Sequence, residues 1–146
     1  MFRIRRIYDD LLPINELEIS QIQDILRTQF NELPESDITK IPDLLKNPVK
    51  YKFKTILLVA DDGKGKVLGF ALVYYFASLN FCYLDFVSTA PKTTGGGVGS
   101  ALYDRVRIAA KHLNSVGLFF ECLPDDPSLM KDSKFIKQNI ARLKFY

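Results

Sequence analysis

Histidine and cysteine are almost missing from this chain, which has one of the first, His112, and two of the second, Cys82 and Cys122. That scarcity excludes histidine-based metal clusters, and the two cysteines do not make a zinc-site spacing. Both sit in apolar surroundings, so buried, reduced thiols are expected, and a cytoplasmic location with them. A Cys–His nucleophile at Cys122 has little support with one distant histidine. Long hydrophobic runs are lacking too: nothing reaches membrane-spanning length, and the opening FRIRRIYDD alternates with charge where a targeting segment would be continuously apolar. Charge of one sign is not in excess, with 20 Lys+Arg against 17 Asp+Glu and a net charge of +3. The basic residues are scattered, so neither a nucleic acid nor a membrane is expected as partner. The densest basic run, Lys50-Tyr51-Lys52-Phe53-Lys54, reads as the solvated face of a strand or the approach to one. A chain of 146 residues without linker or repeat fits one domain, spanning 1–146, better than two.

What is present is a clear series of elements. Phe2 to Tyr8 alternates apolar and basic residues, a strand pattern. Asn15-Glu16-Leu17-Glu18 has capping-box spacing, and Ile19, Ile22, Leu26 and Phe30 recur at helical intervals, predicting a helix over 16–30. Pro34 and Pro42 break up a polar stretch, with a short helix around Leu44. TILLVA, the turn DDGKGK and VLGFALVYYFA form a hairpin, and FCYLDFVST is a third strand of that group. Val98, Leu102, Val106, Ala109 and Leu113 mark an amphipathic helix. VGLFFEC is apolar almost throughout, predicting a strand buried on both faces and paired in parallel. Residues from Lys134 onward are expected to be helical. The order β-α-α-β-β-β-α-β-α describes an α/β fold with a mixed central sheet.

Glycine is concentrated at one point: Gly95, Gly96, Gly97 and Gly99, in TTGGGVGSAL, are half of the chain's 8 glycines. Such clustering marks a main-chain path that side chains would block, commonly where an anion approaches a helix N-terminus. A phosphate-binding loop of the Gly-Lys-Ser/Thr kind is excluded, since no lysine follows. A dinucleotide fingerprint fails on spacing and on its place after the fourth strand.

The stretch Leu84 to Leu102 resembles the acetyl-CoA signature of the GCN5-related N-acetyltransferases, with Pro91, Gly97, Gly99 and Leu102 in register. Thr94 stands where Arg or Gln is usual, and Thr89 where Val is usual. The element order is similar to that family's over nearly the whole chain. The resemblance implies an acyl-CoA N-acyltransferase-like fold and coenzyme A pyrophosphate on the turn formed by Thr94, Gly95, Gly96, Gly97, Val98, Gly99 and Ser100. It also implies a pantetheine arm along Phe86, Val87 and Thr89, with the thioester oxygen held by strand N–H groups near Val87. With Thr94 in the Arg/Gln place, the grip on the coenzyme is expected to lean on backbone N–H groups. Asn139 and Tyr146, seven apart, match the family's pair in which the Asn contacts the coenzyme and the Tyr protonates the departing thiolate. The family's following turn and last two strands are missing after Tyr146. A truncated piece of a longer protein is therefore expected, its open sheet edge covered by a second domain or a second copy. GLFFECLPDDPSL and KQNIARLKFY also look like the acetyltransferase-type domain that precedes a deacetylase-like domain in some bacterial proteins.

Acetylating an amine requires its neutral form, and holding a lysine-like amine neutral at pH 7 costs about 4–5 kcal/mol, so a carboxylate, a water chain or desolvation must help. Glu121, at the end of an apolar strand, is the first candidate base and Asp85 the second, with Tyr83 and Val87 expected on the face of Asp85. Two acidic segments, Glu32, Glu35 and Asp37, and Asp125 and Asp126, suit a cationic acceptor. The expected function is acetyl transfer from acetyl-CoA directly to a primary amine; the alternative is a coenzyme A-binding sensory or docking domain without catalysis.

Overall fold

In a computed structural model, residues 1–93, 96–121, 140 and 144–145 are described. The elements run β1 (Arg3–Ile7), α1 (Pro13–Gln29), α2 (Glu35–Thr39), α3 (Ile41–Lys46), α4 (Pro48–Tyr51), β2 (Lys54–Asp61), β3 (Val67–Phe76), β4 (Phe81–Thr89), α5 (Val98–His112) and β5 (Leu118–Phe119). They form one five-stranded sheet in the order β1-β2-β3-β4-β5. The first three pairings are antiparallel and β4–β5 is parallel, as the α5 crossover between those strands requires. Among the described residues no helix is long and apolar enough to cross a membrane.

Strand alternation assigns the two faces. Ile7, Leu57, Val59, Phe70 and Leu72 turn toward α1–α3, where Ile19, Ile22, Leu26, Ile38 and Ile41 meet them. Ile56, Leu58, Ala71, Val73, Cys82 and Leu84 turn the other way, under Val98, Leu102, Val106 and Ala110 of α5. Fully burying a side chain such as Phe70 or Leu102 contributes roughly 1.5–3 kcal/mol each, so both helical layers are held by apolar contact. Gly69 lets α5 sit close to the sheet: a Cβ there would lie 2.9 Å from the Ser88 carbonyl oxygen, 3.0 Å from Val98 and 3.1 Å from Leu102.

Several sequence expectations need correction. α1 starts three residues before 16, at Pro13, with Leu12 as an N-cap that makes no side-chain bond. Asn15 does not cap it: buried in the first turn, its Oδ1 accepts a 2.8 Å bond from Arg5 Nη1, while Arg5 Nη2 donates to Glu18. A half-buried arginine outcompeted the cap for that side chain. Pro42 opens a helix instead of breaking one, as Pro48 also does, because proline's fixed φ suits a first helical turn. The run 50–54 proves to be the end of α4 and the approach to β2. The strand at 118–119 is parallel as expected but not buried on both faces, for Phe119 is exposed. Cys82 is a buried free thiol, its pKa pushed up by burial, whereas Cys122 lies outside the described residues, and of the helix expected from Lys134 only Ile140, Lys144 and Phe145 are described, all helical.

Candidate active site

The site grows from one irregularity in β4. Leu72 pairs with Phe86 while Val73 pairs with Leu84, so Asp85 is an extra residue with no partner across the β3 ladder. A bulge of this kind breaks the two-residue alternation. Asp85 and Phe86 therefore both turn to the α1 side, Phe86 against the Phe30 ring at 5.0 Å, and Val87 turns to the α5 side. The expectation that Val87 shares the face of Asp85 is corrected by that single inserted residue.

Asp85 borders a cavity of about 130 Å³ with Leu72, Tyr74, Phe86, Asp37 and Lys40. The Tyr74 hydroxyl donates to Asp85 Oδ2 at 2.7 Å. Although one side of Asp85 faces solvent, the packing around its carboxyl raises its pKa, and Tyr74 and Lys40 only partly offset this. Tyr74 is itself pushed up, by burial and then by the charge of Asp85. Glu121 follows β5, is exposed, and lies close enough to the Tyr83 phenol to raise its pKa further after burial. Its charge also adds to the upward push on Asp85. The acidic residues expected to draw a cation are largely engaged: Glu35 holds Arg27 at 2.6 Å and Asp37 holds Lys40 at 3.0 Å.

Past the bulge, β4 runs on from Leu84 to Thr89, whereas its pairing with β5 covers only Cys82 and Tyr83 among the described residues. Phe86, Val87 and Thr89 thus lie on a strand whose outer edge has no described partner there. That edge leads through a turn at Lys92, with φ of 66°, to Gly97, the N-cap of α5 with φ of 74°. Left-handed backbone costs a side-chain-bearing residue roughly 1–2 kcal/mol, which is why glycine stands here. A Cβ on Gly97 would meet nothing within 4 Å, and one on Gly96 only Val98 at 3.9 Å, so the main chain is open to approach. The Gly97 carbonyl accepts the Ala101 N–H at 3.0 Å, no side chain caps the helix, and its first turn carries no acid. The N–H groups of Val98, Gly99 and Ser100 are left without partners within the helix. This end of α5 fits the pyrophosphate of a coenzyme. Thr94, Gly95, Asn139 and Tyr146 lie outside the described residues, as do Asp125 and Asp126.

Sequence reasoning singled out the glycine turn and Asp85. It missed Tyr74, whose phenol meets Asp85 only because β3 and β4 pair; the bulge left no sequence signal.

The family model described as acetyltransferase (GNAT) family matches residues 19–131. No curated protein sequence matches the chain. Among solved structures, Tetrahymena GCN5 is similar over 96% of this chain and 76% of its own, with TM-score 0.71 and 15% identity. The catalytic domain of the Tetrahymena GCN5 histone acetyltransferase in complex with coenzyme A is similar over 81% of this chain and 66% of its own, with TM-score 0.63 and 17% identity. The ribosomal-protein-alanine N-acetyltransferase of Brucella melitensis biovar Abortus 2308 is similar over 90% of this chain and 87% of its own, with TM-score 0.61 and 16% identity. With most of the chain matched and the mixed sheet and glycine-capped helix in place, the protein belongs to the GNAT acetyltransferase family, N-acetyltransferases whose acetyl donor is acetyl-CoA.

Proposed function

We propose that this acetyltransferase acts on a primary amine by direct transfer, with Asp85 as the proton acceptor. The observation that carries the reading is the continuity of three features: the Asp85 bulge, the edge of β4 that has no described partner beyond Tyr83 and the glycine-capped start of α5. Acetyl-CoA supplies the acetyl group as an activated thioester. The N–H groups of Val98, Gly99 and Ser100, with the turn from Thr94 to Gly97, bind its phosphates. Helix-end electrostatics alone contributes about 0.3–1 kcal/mol to such a grip, so the directed N–H bonds supply most of it. The main chain at Phe86, Val87 and Thr89 orients the amide-bearing arm, and strand N–H groups near Val87 hold the carbonyl oxygen.

Asp85, whose pKa burial raises, takes the proton from the incoming ammonium, and Tyr74 fixes the orientation of the carboxylate. Glu121, more exposed, adds negative potential beside Tyr83 and assists the approach of a cationic amine. Asn139 and Tyr146 take the family roles of coenzyme contact and proton donor to the sulfur. The buried free thiol of Cys82 supports a reducing, cytoplasmic setting.

The test is coenzyme A release over a panel of amines with the wild-type chain and Asp85→Asn. The variant is expected to lose about 10²–10⁴-fold in kcat while acetyl-CoA still raises its Tm. Full turnover by the variant would remove Asp85 as the base, and no turnover with any amine would remove the amine acceptor.

A further inference from the structure

The sheet has a second open region, away from the proposed active site. α5 lies over β3, β4 and part of β2, and a trough runs along its flank toward β1. The cavity there is about 360 Å³, within the range of small-molecule sites. Its apolar lining comes from Ile56 and Leu58 of β2 and Ile108 and Leu113 of the α5 side. Its charged lining is of one sign: Arg6 from β1, Lys54 from β2 and Arg105 from α5, beside His112 at the end of α5, with no carboxylate among the described lining residues.

These cations differ from the others on β1. Arg3 and Arg5 point to the α1 face and are neutralised by Asp61 and Glu18. Arg6, Lys54, Arg105 and His112 make no ion pair with a described residue, although Arg6 stacks over the Tyr8 ring at 4.4 Å. Arg6 Nε is buried and has no hydrogen-bond acceptor, a desolvated donor of a kind that folded proteins rarely leave unmatched. The helix dipole does not account for Arg105 in mid-helix or for the two cations on the sheet. Like charges gathered over an apolar floor repel one another, and a bound anion relieves that repulsion.

We propose that this trough binds a small amphipathic anion, with an apolar body on Ile56, Leu58 and Ile108 and a carboxylate or phosphate head among Arg6, Lys54 and Arg105. The site is separate from the acetyl-transfer site and does not depend on the acceptor proposed there.

The test uses the full chain and four probes: octanoate, octyl phosphate, octylammonium and inorganic phosphate. Binding is read by titration calorimetry and by NMR of the one histidine ring, His112. Saturable binding of octanoate or octyl phosphate that shifts His112 is expected, the tighter of the two naming the head group. Lys54→Glu/Arg105→Glu should weaken it at least about tenfold, and Lys54→Arg/Arg105→Lys should retain it. An unchanged rise in Tm with acetyl-CoA in both variants shows that the fold and the coenzyme site are intact. Several results would overturn the proposal: equal affinity for octylammonium, inorganic phosphate matching octyl phosphate, indifference to charge reversal, no saturable His112 shift, or displacement of the probe by acetyl-CoA. Binding of an acidic Glu/Leu peptide when neither organic anion binds would overturn it in favour of a protein partner.

Discussion

Asp85 owes its position to one extra residue in β4 and its chemistry to one phenol. Tyr74 donates to the carboxylate form and so opposes the upward push of burial on the Asp85 pKa. Tyr74→Phe should therefore raise the pKa of Asp85 and move the acidic limb of the kcat/KM–pH profile to higher pH, whereas loss of packing alone would scale the profile without shifting it. A second carboxylate offers a test of stability. Asp43 accepts from Asn47, Lys50 and Tyr51, and the Tyr51 phenol is the largest cause of its pKa falling from 3.8 to about 2. A depressed folded-state pKa stabilises the fold above the ordinary value and loses that contribution as pH falls toward the depressed one. The stability difference between wild type and Asp43→Asn should thus shrink between pH 3.8 and about 2, as measured by urea unfolding.

At the scale of elements, α5 does two jobs through two glycines. Gly69 lets it seat on β3, and Gly69→Ala would force its Cβ against a carbonyl oxygen and two packed side chains. Overpacking of that kind costs roughly 1–3 kcal/mol, so a Tm lower by several degrees is expected in thermal unfolding. Gly97 is needed for its backbone and not for space. Gly97→Ala should cost roughly 1–2 kcal/mol of stability and weaken acetyl-CoA binding by calorimetry, because the turn that aims the first N–H groups of α5 is disturbed. The contrast between the two variants separates helix seating from anion capture.

Across the whole molecule, the layers are joined by charge as well as by apolar contact. Glu18 of α1 and Asp61 of β2, both fully buried, share Arg5, and Arg3 also holds Asp61 at 2.8 Å. Burial pushes Glu18 up despite Arg5. It pushes Asp61 up as well, but Arg3 and the Gly63 amide outweigh it and hold Asp61 below the usual range. Glu18 Oε1 and Asp61 Oδ2 have no hydrogen-bond partner among the described residues, and the charge of Asp61 adds to the upward push on Glu18. A raised folded-state pKa means stability that is present below the ordinary value of 4.5 and lost as pH rises through the raised one. Unfolding of Glu18→Gln followed against pH should show the variant gaining on the wild type across that window.

Local patterns in the sequence determined which segments are strands and helices, the glycine turn, and through these the family, because periodicity and main-chain freedom are properties of neighbouring residues. Tertiary structure decided what non-local pairing controls. Asn15 left its expected cap for Arg5, a partner ten residues back. Phe119 stayed exposed in a strand that reads as buried, because β5 is the last strand of the described sheet. The register of β3 on β4 turned Asp85 and Phe86 to one face, brought Tyr74 to the carboxylate, and left the edge beyond Tyr83 without a described partner. The gathering of Arg6, Lys54, Arg105 and His112 has the same cause: residues scattered over more than a hundred positions face one trough only once sheet and helix have packed.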